Sequence, residues 1–274
     1  MDVSADSNRT MTSADGRRVM VYDGELYDFR GLRRDLESGG AAFRTSSDGE
    51  VFLEAWAAHG PGAVERCHGM FAPALWARCS RKLGLVRDHL GIKPPSLRPD
   101  TGRLVFDSEI EAIRAARDVS HAVDPSGLRE DLEFGNARGE RTLSRSIREP
   151  APDTIASFNP SGKRRDRTYW SASTLPQANP AQAGAVEAIR STLTAAVRCH
   201  VVSDVQSPHS CPGGSTRALS SRWQRGRAVL RSRPSLPGST VNPTRTRFRP
   251  NAESPRNSVS SITKSGSRRA VYAM

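Results

Sequence analysis

The charge of this chain divides sharply at Val205, and this division limits how much of the sequence can belong to a folded core. The first 205 of its 274 residues carry 28 Lys and Arg and 28 Asp and Glu, so their formal charges cancel. Residues 206–274 carry 13 basic residues and a single acid, Glu253, together with 14 Ser and 7 Pro. Such a segment buries too little apolar surface to offset its conformational entropy, so we expect it to be disordered.

The first 205 residues are long enough for one well-packed core. No apolar run reaches membrane-spanning length, and the first ten residues lack the apolar segment of a secretory signal. We therefore expect a cytoplasmic protein with no membrane partner. The chain has four cysteines, Cys67, Cys79, Cys199 and Cys211. They have neither a paired spacing nor a His at metal-ligand distance, so we expect no metal site.

The pattern of apolar residues predicts a mixed α/β domain. Two serines, at positions 47 and 108, have Glu three residues later, and this capping-box spacing predicts a helix start at each. Apolar stretches at 70–77 and 82–87 predict a hairpin. A helical repeat predicts an amphipathic helix over 185–197, with one apolar side formed by Val186, Ile189, Leu193 and Val197.

Several short segments, in the same order along the chain, resemble motifs of one enzyme family. Tyr22-Asp23-Gly24-Glu25 is similar to a tyrosine–asparagine–glycine–glutamate stretch of class II glutamine amidotransferases. Further matches are residues 46–51, 68–72, 87–94 and 106–110. Several collinear motifs are more specific than one short pattern. The chain therefore resembles glutamine-hydrolysing asparagine synthetase over roughly residues 15–205.

The resemblance implies an α+β fold class. The expected order is an incomplete αββα N-terminal-nucleophile hydrolase-like domain, a stub of the synthetase α/β domain and a disordered basic tail. We divide the chain into an unstructured lead-in (1–14), the amidotransferase-like domain (15–170), a linker (171–184), the start of the synthetase domain (185–205) and the tail (206–274).

The family reaction is the ATP-dependent amidation of aspartate, in asparagine biosynthesis, with ammonia taken from glutamine. The resemblance thus implies glutamine, aspartate and ATP as ligands, with magnesium in the intact enzyme. Glu25 and Asp48 are implied to hold the α-ammonium group of glutamine, and Gly24 to offer its N–H to the oxyanion. Without the resemblance, Gly24 would be only a turn glycine and Asp48 a residue favoured in a first helical turn.

Three departures from the family pattern predict that the activity is lost in this chain. The family nucleophile is a cysteine exposed as residue one, whereas here no Cys precedes Cys67 and Asp2 follows Met1. We expect no catalytic nucleophile and a missing N-terminal portion. Asp23 replaces the asparagine that donates to the oxyanion, and loss of one such donor raises the barrier by about 3 kcal/mol. The third departure is the absence of a pyrophosphate loop after Val205, so we expect no bound cofactor.

The tail contains that loop in another reading frame. Read from the third base of each codon, residues 211–217 permit serine–glycine–glycine–leucine–aspartate–serine, a glycine-rich loop of the kind that binds pyrophosphate. We therefore hypothesise that one base was deleted near Val205 or Gln206.

Two alternatives remain at this point. The chain could be a glutaminase-like scaffold whose basic tail binds nucleic acid. However, the tail aromatics Trp223, Phe248 and Tyr272 are too scattered for a stacking platform, so we expect no nucleic-acid partner. The motifs also fit another amidotransferase-linked ligase, such as a β-lactam synthetase relative. The oligomeric state is left open.

Overall fold

A computed structural model of the chain describes residues 10–100, 103–116, 119–174, 182–200 and 270–273. Within these ranges the strands are β1 (Met11–Thr12), β2 (Arg18–Val21), β3 (Gly24–Leu26), β4 (Gly69–Phe71), β5 (Ala74–Ala77), β6 (Lys82–Val86), β7 (Ser96–Asp100), β8 (Arg103–Asp107), β9 (Thr154–Phe158), β10 (Arg164–Thr168) and β11 (Ala270–Ala273). The helices are α1 (Phe29–Ser38), α2 (Asp48–His59), α3 (Ile110–Arg114), α4 (Pro125–Phe134) and α5 (Gln182–His200), with 3-10 helices at Gly60–Arg66 and Ala172–Thr174. None of these helices combines the length and the apolar character needed to cross a bilayer.

The largest sheet consists of three antiparallel hairpins placed side by side, in the order β1-β2-β5-β6-β9-β10. A second sheet has the order β11-β8-β7, and β3 and β4 form a separate two-stranded ribbon. Every pairing is antiparallel.

Alternating residues of the large sheet pack into two different cores, as the period of a β-strand requires. Leu75 and Val86 belong to a cluster with Leu32 of α1 and Phe52 of α2. The adjacent residues Ala74 and Leu85 point to the opposite face and pack with Leu104 and Phe106 of β8. On the far side of β8, Val105 packs with Ile113 of α3. The layers therefore follow the order helix, sheet, sheet, helix, which is the αββα stacking that the resemblance implies.

The start of α2 is capped as the sequence predicts, but only half of the capping box forms. The Ser47 side chain accepts a hydrogen bond from the Glu50 N–H at 3.2 Å. The Glu50 carboxylate does not return to Ser47. It accepts instead from the N–H groups of Arg44 and Thr45, at 2.8 and 2.7 Å. Glu50 therefore fixes the loop that leads into α2, in addition to occupying the first helical turn.

Two local predictions are wrong. Ser108 does not cap α3, because the Asp107 carboxylate accepts from the Glu109 N–H at 3.0 Å and turns the chain there, so that Glu109 becomes the N-cap residue. The predicted strand over residues 70–77 is split into β4 and β5, which belong to different sheets. Pro73 lies between them, and its lack of an N–H interrupts a continuous ladder.

Three predicted boundaries also need correction. The lead-in is not unstructured up to residue 14, because β1 pairs with β2 and the Met11 side chain packs on the main core. Helix α5 starts at Gln182, inside the predicted linker. The tail is not disordered throughout, since β11 pairs with β8 and covers its edge. Residues 201–269, which include the last residues of the predicted synthetase start and most of the tail, lie outside the described residues.

The β3–β4 ribbon depends on two glycines that face the opposite strand. In an antiparallel ladder the residues of a non-hydrogen-bonded pair approach to about 4.5 Å between Cα atoms. Gly24 opposes Phe71, and Leu26 opposes Gly69. The hydrogen bonds belong to the flanking pairs, from the Ala72 N–H to the Asp23 carbonyl oxygen and from the Tyr27 N–H to the His68 carbonyl oxygen. Both glycines are therefore in non-hydrogen-bonded pairs. A Cβ at Gly69 would lie 2.2 Å from the Glu25 carbonyl oxygen.

We predict that Gly69→Ala lowers the free energy of unfolding by about 1–3 kcal/mol, because the added methyl group forces the two strands apart. The matched control is Gly31→Ala in α1, where a Cβ would meet no atom within 4 Å. That change should raise stability by about 0.5–1 kcal/mol, through reduced freedom of the unfolded chain and better helix propensity. Urea unfolding of both variants checks this, and a Gly69→Ala protein as stable as the parent would contradict the described strand spacing.

Candidate functional site

Asp48 is held beside β3 by two hydrogen bonds to one of its carboxylate oxygens. Its Oδ2 accepts from the Leu26 N–H at 2.8 Å and from the Tyr22 hydroxyl at 3.0 Å. Asp48 is also the first residue of α2, where the helix dipole favours a negative charge. These contacts bring the two distant segments that the sequence predicts, residues 23–25 and residue 48, to one place.

The electrostatics of this place follow from its burial. Burial raises the pKa of Asp48, and the hydrogen bonds from Leu26 and Tyr22 oppose that shift only in part. Burial also raises the pKa of Tyr22 well above its ordinary value, with the Asp48 carboxylate as the next cause. Tyr22 therefore acts as a neutral donor that fixes one side of Asp48.

Glu25 is half-buried in the middle of β3, opposite Met70. Burial raises the pKa values of Tyr22 and Tyr27, and the charge of Glu25 contributes to both shifts. Since Leu26, the residue after Glu25, donates to Asp48, the two predicted acids belong to segments in direct contact. Such a pair provides a negative environment suited to an ammonium group.

Gly24 has an N–H that is directed away from β4, because it belongs to a non-hydrogen-bonded pair of the ribbon. A Cβ at this position would lie 2.6 Å from the Met70 carbonyl oxygen. Glycine is thus required for strand spacing, and its N–H is not used in the β3–β4 ladder.

Asp23 forms an ion pair that the sequence did not predict. Lys93 Nζ donates to Asp23 Oδ1 at 3.1 Å, and the two side chains are only 30% and 35% exposed. A carboxylate at this position would repel a developing oxyanion, and the Lys93 ammonium group offsets part of its charge. Asp23 also lines a cavity of about 40 Å³ between the two sheets, which has room for water but not for an amino acid.

Lys93 is positioned by Asp88, a fully buried carboxylate whose role was not predicted. Asp88 accepts from the N–H groups of Ile92 and Lys93, at 3.0 and 2.9 Å. The turn passes through Gly91, whose φ of +67° favours glycine, and a Cβ there would meet the Arg87 guanidinium at 2.9 Å. The sequence signal was present in the matched segment 87–94, but the resemblance assigned it no role.

An aromatic cluster around His89 was also missed. The His89 ring lies 5.2 Å from both the Tyr169 and the Trp170 rings, and 6.3 Å from that of His68. Burial lowers the pKa of His89, and the nearby His68 lowers it further. His89 is therefore predominantly neutral near pH 7. Tyr169 is anchored through its hydroxyl, which donates to the Arg87 carbonyl oxygen at 2.8 Å.

The described cysteines differ in burial and in the reactivity of their thiols. Cys67 is fully buried and its thiol donates to the Ala63 carbonyl oxygen. Burial raises its pKa to about 12, so the reactive thiolate is not populated at neutral pH. Cys79 and Cys199 are exposed, in the β5–β6 turn and on α5. Within the described ranges, no group of three His, Cys, Asp or Glu side chains could hold a metal ion.

Comparison with known proteins places this arrangement in a family. The sequence profile of the glutamine amidotransferase domain matches residues 1–170. The chain therefore belongs to the glutamine amidotransferase domain family. Asparagine synthetase [glutamine-hydrolyzing] 3 of Bacillus subtilis is 33% identical over 188 residues, and asparagine synthetase [glutamine-hydrolyzing] 1 of the same organism is 27% identical over 195 residues. The domain is thus of the asparagine synthetase type among class II glutamine amidotransferases.

These matches cover 68% and 71% of this chain but only 30% of each synthetase, so the chain spans about a third of the length of these relatives. The solved structure of glutamine phosphoribosylpyrophosphate amidotransferase from B. subtilis, complexed with ADP and GMP, is 17% identical, with a TM-score of 0.40. That match covers 60% of this chain and 31% of the other, and it is too weak to support a conclusion about the site.

The raised pKa of Asp48 predicts how stability depends on pH. A carboxyl group whose pKa is higher in the folded state contributes stability when protonated, below its ordinary value of 3.8, and this contribution is lost as the pH rises through the folded pKa. Asp48→Asn cannot ionise but keeps an oxygen for Leu26 and Tyr22. We therefore predict that the stability of Asp48→Asn relative to the parent chain increases between about pH 4 and about pH 7.

Urea unfolding at several pH values measures this difference. Glu133→Gln, which removes an exposed carboxylate on α4, is the control and should show no such trend. A constant difference between Asp48→Asn and the parent across this pH range would contradict a raised Asp48 pKa.

Proposed function

We propose that residues 10–170 form a glutamine-binding amidotransferase domain of an asparagine synthetase-like protein. The observation that carries this proposal is the 2.8 Å hydrogen bond from the Leu26 N–H to Asp48, which joins the two segments that hold the predicted ligand-binding residues. In the family reaction, ammonia released from glutamine amidates aspartate at the expense of ATP. For this chain we propose that this overall reaction is lost.

The ligand is bound in the proposed site by its two polar ends. Glu25 and Asp48 receive the α-ammonium group, because each is a carboxylate at least half-buried and therefore poorly screened by water. Gly24 donates its N–H to the side-chain carbonyl oxygen, and the Lys93–Asp23 pair borders that end of the ligand. This division of charge selects an amino acid with a neutral carboxamide side chain.

We further propose that this site binds glutamine without hydrolysing it. Among the described cysteines, Cys67 is protonated and enclosed, and the other two are exposed, in the β5–β6 turn and on α5. Asp23 is a hydrogen-bond acceptor where the family has an amide donor, and loss of one donor corresponds to about 3 kcal/mol of barrier. Lys93 reduces the repulsion but does not provide the nucleophile.

The synthetase half is also a matter of proposal. Helix α5 corresponds to the predicted start of that domain, and its apolar residues Val186, Ile189 and Leu193 are 62%, 60% and 44% exposed. ATP and magnesium would bind downstream, at the glycine-rich loop that only the alternative frame encodes. We propose that the reading frame changes near Val205. Resequencing of the locus should reveal the missing base, and tryptic peptides that confirm the present frame beyond Val205 would overturn this.

We predict that the full chain binds L-glutamine and that Glu25→Gln weakens binding by about tenfold or more, because a charge-assisted hydrogen bond contributes about 1.5–3 kcal/mol. Isothermal titration calorimetry measures the affinity. Glu133→Gln, which changes charge equally on exposed α4, is the matched control and should leave the affinity unchanged. Equal affinities for Glu25→Gln and the parent would argue against the proposed site.

We also predict that the chain releases no glutamate from glutamine above the background rate, and forms no asparagine from aspartate, ATP and ammonia. Both products can be quantified by chromatography. Cys67→Ala should not change the glutamate signal, because the thiol is buried and protonated. Glutamate release that disappears in Cys67→Ala would show that the buried thiol becomes accessible and would overturn the proposal.

A further inference from the structure

Three hairpin turns lie together at one end of the six-stranded sheet. The β1–β2 turn precedes Arg18, which pairs with Ala77 at the end of β5. The β5–β6 turn therefore lies at the same end, as does the β9–β10 turn, because Leu83 at the start of β6 pairs with Phe158 at the end of β9. Residues from three distant parts of the sequence are thus placed in one row.

This row, which we call the turn row, is strongly basic. Five of its side chains are exposed cations with no ion pair to any described carboxylate: Arg17, Arg78, Arg81, Lys82 and Lys163. Two neighbouring arginines differ from these five. Arg18 forms an ion pair with Asp15, and Arg164 forms ion pairs with Glu140 and Asp166. The fold therefore pairs the cations at the margins, whereas the five of the turns form no ion pair with a described carboxylate. One acid, Asp15, lies in the β1–β2 turn, where it also accepts a hydrogen bond from the Arg17 N–H at 3.0 Å.

The backbone at Arg81 is a second and independent observation. Arg81 has a φ of +50°, in the left-handed region that disfavours residues with a Cβ. Glycine or asparagine would serve this turn position better. The turn thus carries an arginine at a position where the backbone alone favours another residue. Such local strain is often found where a side chain binds a ligand.

The dimensions of the turn row fit an extended polyanion. Neighbouring strands are about 4.8 Å apart, so the four intervals from β2 to β10 span about 19 Å. Three of the five cations are arginines, whose planar guanidinium matches phosphate oxygens in a bidentate manner. We propose that the turn row binds the phosphodiester backbone of a nucleic acid without regard to sequence.

The chemistry of the turns disfavours other partners. Their remaining residues are small or polar, for example Gly16, Ser80 and Ser161, and no aromatic or large aliphatic side chain lies between the strands. A protein interface needs such residues as buried anchors, and a membrane-inserted amphipathic site needs them for insertion, which leaves only electrostatic attraction for a membrane surface. The same lack of stacking residues explains why binding should be independent of base sequence.

The test compares two triple variants of the full chain by fluorescence anisotropy. Arg78→Gln, Arg81→Asn and Lys82→Gln together remove three charges from the turn row, with asparagine chosen because it tolerates positive φ. The matched control removes three exposed charges elsewhere, through Arg34→Gln, Arg129→Gln and Arg145→Gln. Both proteins retain residues 206–274, so any binding by that basic segment is the same in each. Thermal unfolding of both proteins checks that they are folded.

Binding to a labelled DNA duplex of about 20 base pairs is measured between about 50 and 200 mM salt. The parent chain and the control should show the same dependence of log Kobs on log salt. The slope for the turn-row variant should be smaller in magnitude by about 2.7, or 0.9 for each lost phosphate contact. Equal slopes in the two variants would overturn the proposal. So would loss of binding to phosphatidylserine vesicles with DNA binding unchanged, since that result would identify a membrane surface as the partner.

Discussion

The carboxylate of Asp88 is the interaction on which the arrangement of this domain depends. It is fully buried, yet it accepts hydrogen bonds from four backbone N–H groups, which belong to Phe71, Leu90, Ile92 and Lys93. A buried carboxylate without such donors would be strongly destabilising, whereas each charge-assisted bond contributes about 1.5–3 kcal/mol. The Asp88 N–H donates to the Phe71 carbonyl oxygen, and the Asp88 carbonyl oxygen accepts from the Asp153 N–H. One residue thus connects the β3–β4 ribbon, the turn that carries Lys93 and the start of β9.

This connection explains why the candidate site has its particular charge balance. Because Asp88 fixes the Lys93 backbone, the Lys93 side chain is directed to Asp23 and forms the ion pair. The site therefore contains an ion-paired carboxylate, Asp23, near the carboxylates of β3 and of the start of α2. In the proposed complex Glu25 and Asp48 receive the ammonium group, while Lys93 balances the charge of Asp23. The proposed binding of an amino acid and the proposed loss of hydrolysis are therefore compatible with one geometry.

The sequence was sufficient to predict features that depend on local periodicity and capping. It was not sufficient where contacts between distant residues determine the structure. The Ser47 cap was predictable because it involves residues three apart, and the core residues of β5 and β6 follow from alternation. The hydrogen bonds from the Arg44 and Thr45 N–H groups to Glu50 were not predictable, because the same Ser–Glu spacing would also fit a complete capping box. The contribution of Asp107 overrode the predicted Ser108 cap in the same way. Motif resemblance matched the segment 87–94 that contains Lys93 but assigned Lys93 no role, because its partner Asp23 lies 70 residues away in the sequence.

The same distinction applies to charge. The first 205 residues have no net formal charge, and counting along the sequence suggested that any anionic partner would have to meet the tail. Sheet topology changes this conclusion. Hairpin turns that are separated by 60 residues or more in the sequence become neighbours, because adjacent strands of the sheet, such as β2 and β5, lie only about 5 Å apart. Many acidic residues of the balanced half lie in ion pairs or in the candidate site, and the five cations of the turns form no ion pair with a described carboxylate. Neutral composition is therefore compatible with a strongly polarised surface, and the separation of charge is a property of the fold.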